Sequence, residues 1–186
     1  MEMVKLGSNM KKYKLGFLGL GKMNGAILDG ILSSSLYKEE DILVYCHKND
    51  FSNRIINNHN LLNFANDEID LFERVEKVII GIKPQSFDNV FSKFENKKFN
   101  LTVISIAAGI KIEYLKKYLG DNKYIRCMPN TPSMIGLGSI AICKSDNVDN
   151  DTFLDVKKIF ESIGVVEEIK EDQMDIIIPL NGSMPA

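Results

Sequence analysis

Short apolar runs alternate with stretches in which apolar residues recur three and four positions apart, from Tyr13 almost to the end of the chain. The runs at 13–20 (YKLGFLGL), 41–47 (DILVYCH), 77–82 (KVIIGI), 101–107 (LTVISIA), 123–128 (KYIRCM), 138–144 (GSIAICK) and 165–169 (VVEEI) predict strands, and LLNFA at 61–65 a weaker one. Residues 23–35 put Ile27, Leu28, Ile31 and Leu32 on one face at helical spacing. Further helices are predicted over 86–94, over 111–119 with Gly120 closing it, and over 151–164 with Gly164 at its end. Another begins near Glu171 and runs toward Pro179. Strands that are apolar on both faces and separated by helices predict an α/β fold, a mainly parallel sheet with helices on both faces. No repeat or low-complexity linker divides the chain, so residues 10–170 read as one domain.

The 186 residues are 45% hydrophobic and 26% charged, enough for one buried core. A formal net charge of −2 gives no broad attraction to nucleic acid or to an anionic membrane surface. The longest apolar run is far too short to span a bilayer, and the N-terminus lacks the continuous apolar segment of a secretory signal, so a cytoplasmic location is expected. Met10 opens MKKYKLGFLGLG like a natural start, and residues 1–9 read as an N-terminal extension or an expression remnant. Cys46, Cys127 and Cys143 are far apart and lack metal-ligand spacing. Cys46 and Cys143 lie in apolar runs, as small core residues of a reducing compartment do. No metal is expected. His59, in NNHN, has no partnered neighbour in the sequence and reads as a loop or helix-end residue rather than a catalytic one.

The chemistry concentrates where strands end. Gly19-Leu20-Gly21 follows the first strand and opens the first helix, the placement a dinucleotide pyrophosphate needs. Gly19 permits the tight turn, Gly21 lets the backbone approach the pyrophosphate, and the free amides and dipole of the helix hold the anion. The third position of the glycine pattern is Asn24; Gly25 or Ala26, next along, serves the close packing of helix on strand in a slightly shifted register. At the tip of the second strand stand His47, Lys48 and Asn49, in place of the Asp or Glu that would bind a ribose 2′-hydroxyl, which favours NADP over NAD. Loops 81–85 (GIKPQ), 107–110 (AAGI) and 128–132 (MPNTP) also leave the carboxyl ends of strands, where open α/β sheets bind ligands. In the last of them Pro129 and Pro132 stiffen a segment that offers Asn130 and Thr131 as polar groups.

In this order and spacing, GFLGLGKMNGAI, IIGIKPQSF, VISIAAGI, IRCMPNTPSMIGLG, FESIGVVEEI and NGSMPA resemble pyrroline-5-carboxylate reductase, over nearly everything from Lys14 to Ala186. The resemblance implies a Rossmann-like domain followed by an all-helical dimerisation domain. It implies reduction of the cyclic imine 1-pyrroline-5-carboxylate to L-proline, in proline biosynthesis, with NADPH or NADH. By the same resemblance Gly19, Leu20, Gly21, Lys22, Met23 and Asn24 fall on the phosphate loop, and His47, Lys48 and Asn49 where the adenine ribose is held. Asn66 resembles a cofactor-contacting Asn; Ile82, Lys83 and Pro84 match a VKP loop, and Ala107, Ala108 and Gly109 an AAG loop. Met128, Pro129, Asn130 and Thr131 match a segment beside the nicotinamide. Gly182 and Ser183 match a turn whose amides, with groups from the partner subunit, receive the substrate carboxylate. No catalytic side chain is assigned.

The sequence departs from the family pattern at Asn24, which replaces a small residue, and at Met184, which replaces a glycine and would narrow the pocket or alter which imine fits. Residues 171–186 match only the beginning of the helical domain, so this chain alone is expected to keep its cofactor and not to turn over. The family forms a homodimer or higher oligomer; whether this short chain does is left open. Two other readings stand beside this one: a non-catalytic NADP-binding paralogue, and a reductase of another cyclic imine. A β-hydroxyacid substrate is disfavoured, because no obvious catalytic Lys is present.

Overall fold

The computed structural model describes residues 12–95 and 97–176, and each predicted apolar run within them contributes a strand. The strands are β1 (Leu15–Leu18), β2 (Ile42–Tyr45), β3 (Asn63–Phe64), β4 (Lys77–Ile80), β5 (Thr102–Ser105), β6 (Lys123–Met128), β7 (Gly138–Lys144) and β8 (Gly164–Glu168). They form one sheet in the order β3-β2-β1-β4-β5-β6-β7-β8. Strands β1 to β6 run parallel, β7 is antiparallel to β6, and β8 is parallel to β7. The α-helices are α1 (Lys22–Ser33), α2 (Asp50–Asn58), α3 (Glu68–Glu73), α4 (Phe87–Phe91), α5 (Ile112–Leu119) and α6 (Asn150–Glu161), and residues 171–176 are also helical. This is the Rossmann-like α/β arrangement.

The inner strands are largely apolar because both of their faces are covered. Along β4, Ile79 faces a cluster with Ile27, Leu28 and Ile31 of α1 and Ile159 and Phe160 of α6. Its neighbours Val78 and Ile80 face the other way, into a cluster with Phe72 of α3, Phe87 and Phe91 of α4 and Leu115 of α5. Aromatic rings fill that second layer: Phe72 and Phe94 meet edge to face with centroids 4.8 Å apart. Met174, in the 171–176 helix, is fully buried in the same layer.

Three points differ from the sequence expectation. Helices α2 and α3 were not predicted, because both are too short for an apolar repeat to show and their starts are marked by capping side chains. The Asn49 side chain accepts from Phe51 N at 3.0 Å and Ser52 N at 2.9 Å, and Ser52 Oγ accepts from Asn49 N at 2.9 Å. Asp67 opens α3 by accepting from Asp70 N at 2.7 Å. The strand expected over 61–65 shrinks to Asn63–Phe64, since it lies at the sheet edge and pairs only with β2. Gly164 does not close α6: the helix ends at Glu161, and Gly164 begins β8, where a Cβ would collide with the backbone of Gly138. The helix predicted from Glu171 is present over 171–176, and its continuation toward Pro179 lies outside the described residues, as do residues 1–11.

Candidate cofactor site

Because β1 to β6 are parallel, the loops that follow them gather at one edge of the sheet. The chain order reverses at β1, which has β2 on one side and β4 on the other. Such a reversal opens a crevice beyond the carboxyl ends of the strands.

The first wall of the crevice is the turn into α1. Gly19 has φ +85°, a conformation side-chain-bearing residues rarely adopt, and its N–H donates to the Tyr45 carbonyl at 2.7 Å. Gly21 caps α1, and a Cβ built on it meets nothing within 4 Å, so this position faces open space. No side chain caps the first-turn amides of α1, and no acidic residue lies in that turn. These amides, with the exposed Lys22 beside them, fit a pyrophosphate. Leu20 is buried, and Met23 is half-buried against the α1–α6 side of the core. The helix-to-strand contact expected of Gly25 or Ala26 is made by Asn24 instead. Asn24 is buried, and its Nδ2 donates to the Gly19 carbonyl at 2.7 Å. Gly25 serves a different approach, that of α2, for a Cβ on it would lie 2.5 Å from Ile55 Cδ1.

The loop after β2 carries the residues expected to hold the adenine ribose. His47 and Lys48 are exposed there, and the His47 ring meets that of Tyr45 with centroids 6.1 Å apart. Asn49 stands with them, but its carboxamide oxygen is already engaged as the α2 cap. Asn66, past the end of β3, is tied down as well: its backbone N and Nδ2 donate to Asp70 Oδ2 at 2.8 and 3.1 Å.

Three loops complete the edge. After β4, Ile82 is half-buried, Lys83 is exposed, and Pro84 opens a 3-10 turn into α4. After β5, Ala107 is buried with its N–H donating to Ser105 Oγ at 3.3 Å, while Ala108 and Gly109 are exposed and Gly109 has φ +74°. After β6, Met128 is buried and Pro129 and Asn130 are half-buried, with Thr131 beginning a 3-10 turn. Asn130 Oδ1 accepts from Ser139 N at 3.0 Å and Ser133 Oγ at 3.2 Å, so its amide nitrogen is the end available to a ligand. Gly182, Ser183 and Met184 lie outside the described residues. Sequence reasoning missed Gly81, which sits against Asn24 at the exit of β4; its only signal was a glycine inside an apolar run.

The remaining reactive side chains point away from covalent chemistry. Cys127 and Cys143 are buried and Cys46 is half-buried; burial raises all three thiols, that of Cys143 to about 11, so none is a ready thiolate at neutral pH. His59 does have partners, contrary to expectation. Its Nδ1 lies 2.9 Å from Glu39 Oε1 and its Nε2 3.1 Å from Asp29 Oδ1. They come from α1 and from the turn before β2, which is why spacing along the sequence did not show them. The hydrogen bond from His59 holds the Glu39 carboxyl below its ordinary range, helped by Leu61 N. Among the described residues no helix is long and apolar enough to cross a membrane.

A model of the family described as NADP oxidoreductase, coenzyme F420-dependent, matches residues 14–109, just over half of the chain and the part that carries the phosphate loop. The chain belongs to this family. Within it, the chain is similar to the pyrroline-5-carboxylate reductase of Synechocystis sp., at 31% identity over 93% of this chain and 64% of that protein. The crystal structure of 1-pyrroline-5-carboxylate reductase from Streptococcus pyogenes matches with a TM-score of 0.78 and 31% identity, over 91% of this chain and 63% of that one. The Plasmodium falciparum pyrroline carboxylate reductase, solved with NADP bound, matches with a TM-score of 0.75 and 30% identity, over 92% and 63%. The chain thus spans just under two thirds of the length of these relatives.

Proposed function

We propose that this chain binds NADPH along the carboxyl edge of β1, β2, β4, β5 and β6 and serves the reduction of 1-pyrroline-5-carboxylate to L-proline. The observation that carries the reading is the start of α1 at Gly21, where no side chain takes up the first-turn amides, open to space and ringed by the loops after β2, β4, β5 and β6. The names of the similar reductases, and the NADP in one of them, supply the reaction. In this reading the α1 amides receive the diphosphate, and His47 and Lys48 supply donors and charge for a 2′-phosphate. Asn130 and Thr131, on a proline-stiffened turn, offer polar groups at the nicotinamide end. The bound cofactor would supply the hydride; the protein's part is to orient it and to exclude water.

By the resemblance to these reductases the substrate carboxylate is assigned to the backbone amides at Gly182 and Ser183, which lie outside the described residues. Residues 10–170 are then the cofactor domain, and the chain from 171 opens a helical domain through which a cytoplasmic homodimer or higher oligomer forms. The test has two arms. Fluorescence titration should show NADPH binding by this chain. A hybrid in which this chain is joined to the remaining third of the S. pyogenes reductase should oxidise NADPH when 1-pyrroline-5-carboxylate is added. A hybrid that binds NADPH but leaves that imine untouched would contradict the assigned substrate.

A further inference from the structure

Asn24 occupies a position where a smaller residue would pack α1 on the sheet without leaving any polar atom unsatisfied. Its carboxamide is buried at 1% exposure, and while Nδ2 donates to the Gly19 carbonyl at 2.7 Å, Oδ1 is buried with no hydrogen-bond partner. A buried amide that makes only part of its bonds costs stability. Something local must keep it in place, and the geometry shows what. The carboxamide lies flat against Gly81: a Cβ there would collide with Nδ2 and come within 2.5 Å of Cγ and 2.7 Å of Oδ1. Gly81 is in turn fixed by its N–H, which donates to the Leu18 carbonyl at 2.9 Å. A Cβ on Gly19 would lie 3.1 Å from the Gly81 carbonyl oxygen. Three residues from the end of β1, the first turn of α1 and the exit of β4 therefore interlock, each filling the space the others leave.

We propose that Asn24 is a positioning residue: it sets the phosphate turn by holding the Gly19 carbonyl and by seating α1 against Gly81. This rests on the reading of the edge as an NADPH site and adds a coupling that the glycine pattern does not contain. The carbonyl that Asn24 holds belongs to the residue with φ +85°, the one on which the course of the turn depends. The first-turn amides of α1 follow from that course. The loop after β4, with Ile82 and Lys83, is tied to the same contact, so the two sides of the crevice move together.

The test is a cycle of three variants, N24G, G81A and N24G/G81A, read by NADPH titration well below the unfolding temperature and by the Tm without cofactor. N24G removes the brace, and NADPH affinity should fall about five- to tenfold, the size expected for one lost positioning hydrogen bond. G81A drives a methyl group into the carboxamide and should weaken NADPH more than N24G does. In N24G/G81A the methyl group occupies the vacated space, and affinity should return to that of N24G or better, so that the two changes are not additive. A residue that only fills volume would move the Tm and leave the NADPH affinity of the folded protein alone. Additive effects, or an N24G chain that binds NADPH like wild type, would overturn the proposal. A wild-type chain that binds no NADPH while the Tm values remain non-additive would instead overturn the cofactor reading and leave the interlock standing.

Discussion

Single residues decide which ligand the crevice takes. His47 and Lys48 stand exposed after β2, where, in the proposed cofactor reading, an acidic side chain would select a 2′-hydroxyl. Lys48→Glu should therefore weaken NADPH at least about tenfold and leave NADH unchanged or tighter; parallel titrations check this, and an unchanged NADPH affinity would remove Lys48 from the site. That Lys48 stands exposed just past β2 was legible in the sequence, because its type and place at the end of a strand are both local facts. Asn49 stood beside it in the same reading, but only the structure shows its oxygen spent on capping α2. The partners of His59, and the seat of Asn24 against Gly81, were not legible, since they come from elsewhere in the fold. The His59 contact also makes a pH prediction. Glu39 is depressed, so its contribution is present above the ordinary carboxylate pKa and lost as pH falls through the lower folded value. In Glu39→Gln the decline of Tm between about pH 5 and pH 3 should be shallower than in wild type. Identical profiles would show that the His59–Glu39 contact contributes no pH dependence.

Whole elements answer to two signals, and only one of them can be seen as periodicity. The buried strands announced themselves as apolar runs, and α1, α5 and α6 as amphipathic repeats. Helix α2, DFSNRIINN, has few large apolar residues, and its start is set by the reciprocal bonds of Asn49 and Ser52. Asn49→Ala should therefore cost about 1 kcal/mol of stability, as loss of an N-cap does. Because the proposed cofactor reading places the same residue beside the adenine ribose, NADPH affinity should fall with it. Chemical denaturation and titration together test both effects; a stable variant with normal affinity would mean that α2 does not depend on its cap. The antiparallel β7 was also hidden, because the direction of a strand is set by the connection before it rather than by its own residues. The turn through Pro129, Asn130 and Gly136, where φ is +76°, sends the chain back along β6.

At the level of the whole molecule, the cofactor edge is joined to the last described helix by one buried charge. The Arg126 side chain is 2% exposed and its Nη1 donates to Glu171 Oε1 at 2.9 Å. The same carboxylate oxygen accepts from Ile112 N at 2.7 Å, so Glu171 joins β6, the start of α5 and the 171–176 helix. Glu171→Ala leaves the guanidinium buried with Asp175, at 3.7 Å, as its remaining carboxylate among the described residues, and should cost about 2 kcal/mol or more. A denaturation midpoint within error of wild type would show that this link is not holding the helix. The central expectation for this chain is that it binds NADPH. Calorimetric titration of NADPH and of NADH into this chain tests that most directly. It should give saturable one-to-one binding of NADPH, at least about tenfold tighter than NADH. No binding of either, or tighter binding of NADH, would contradict it.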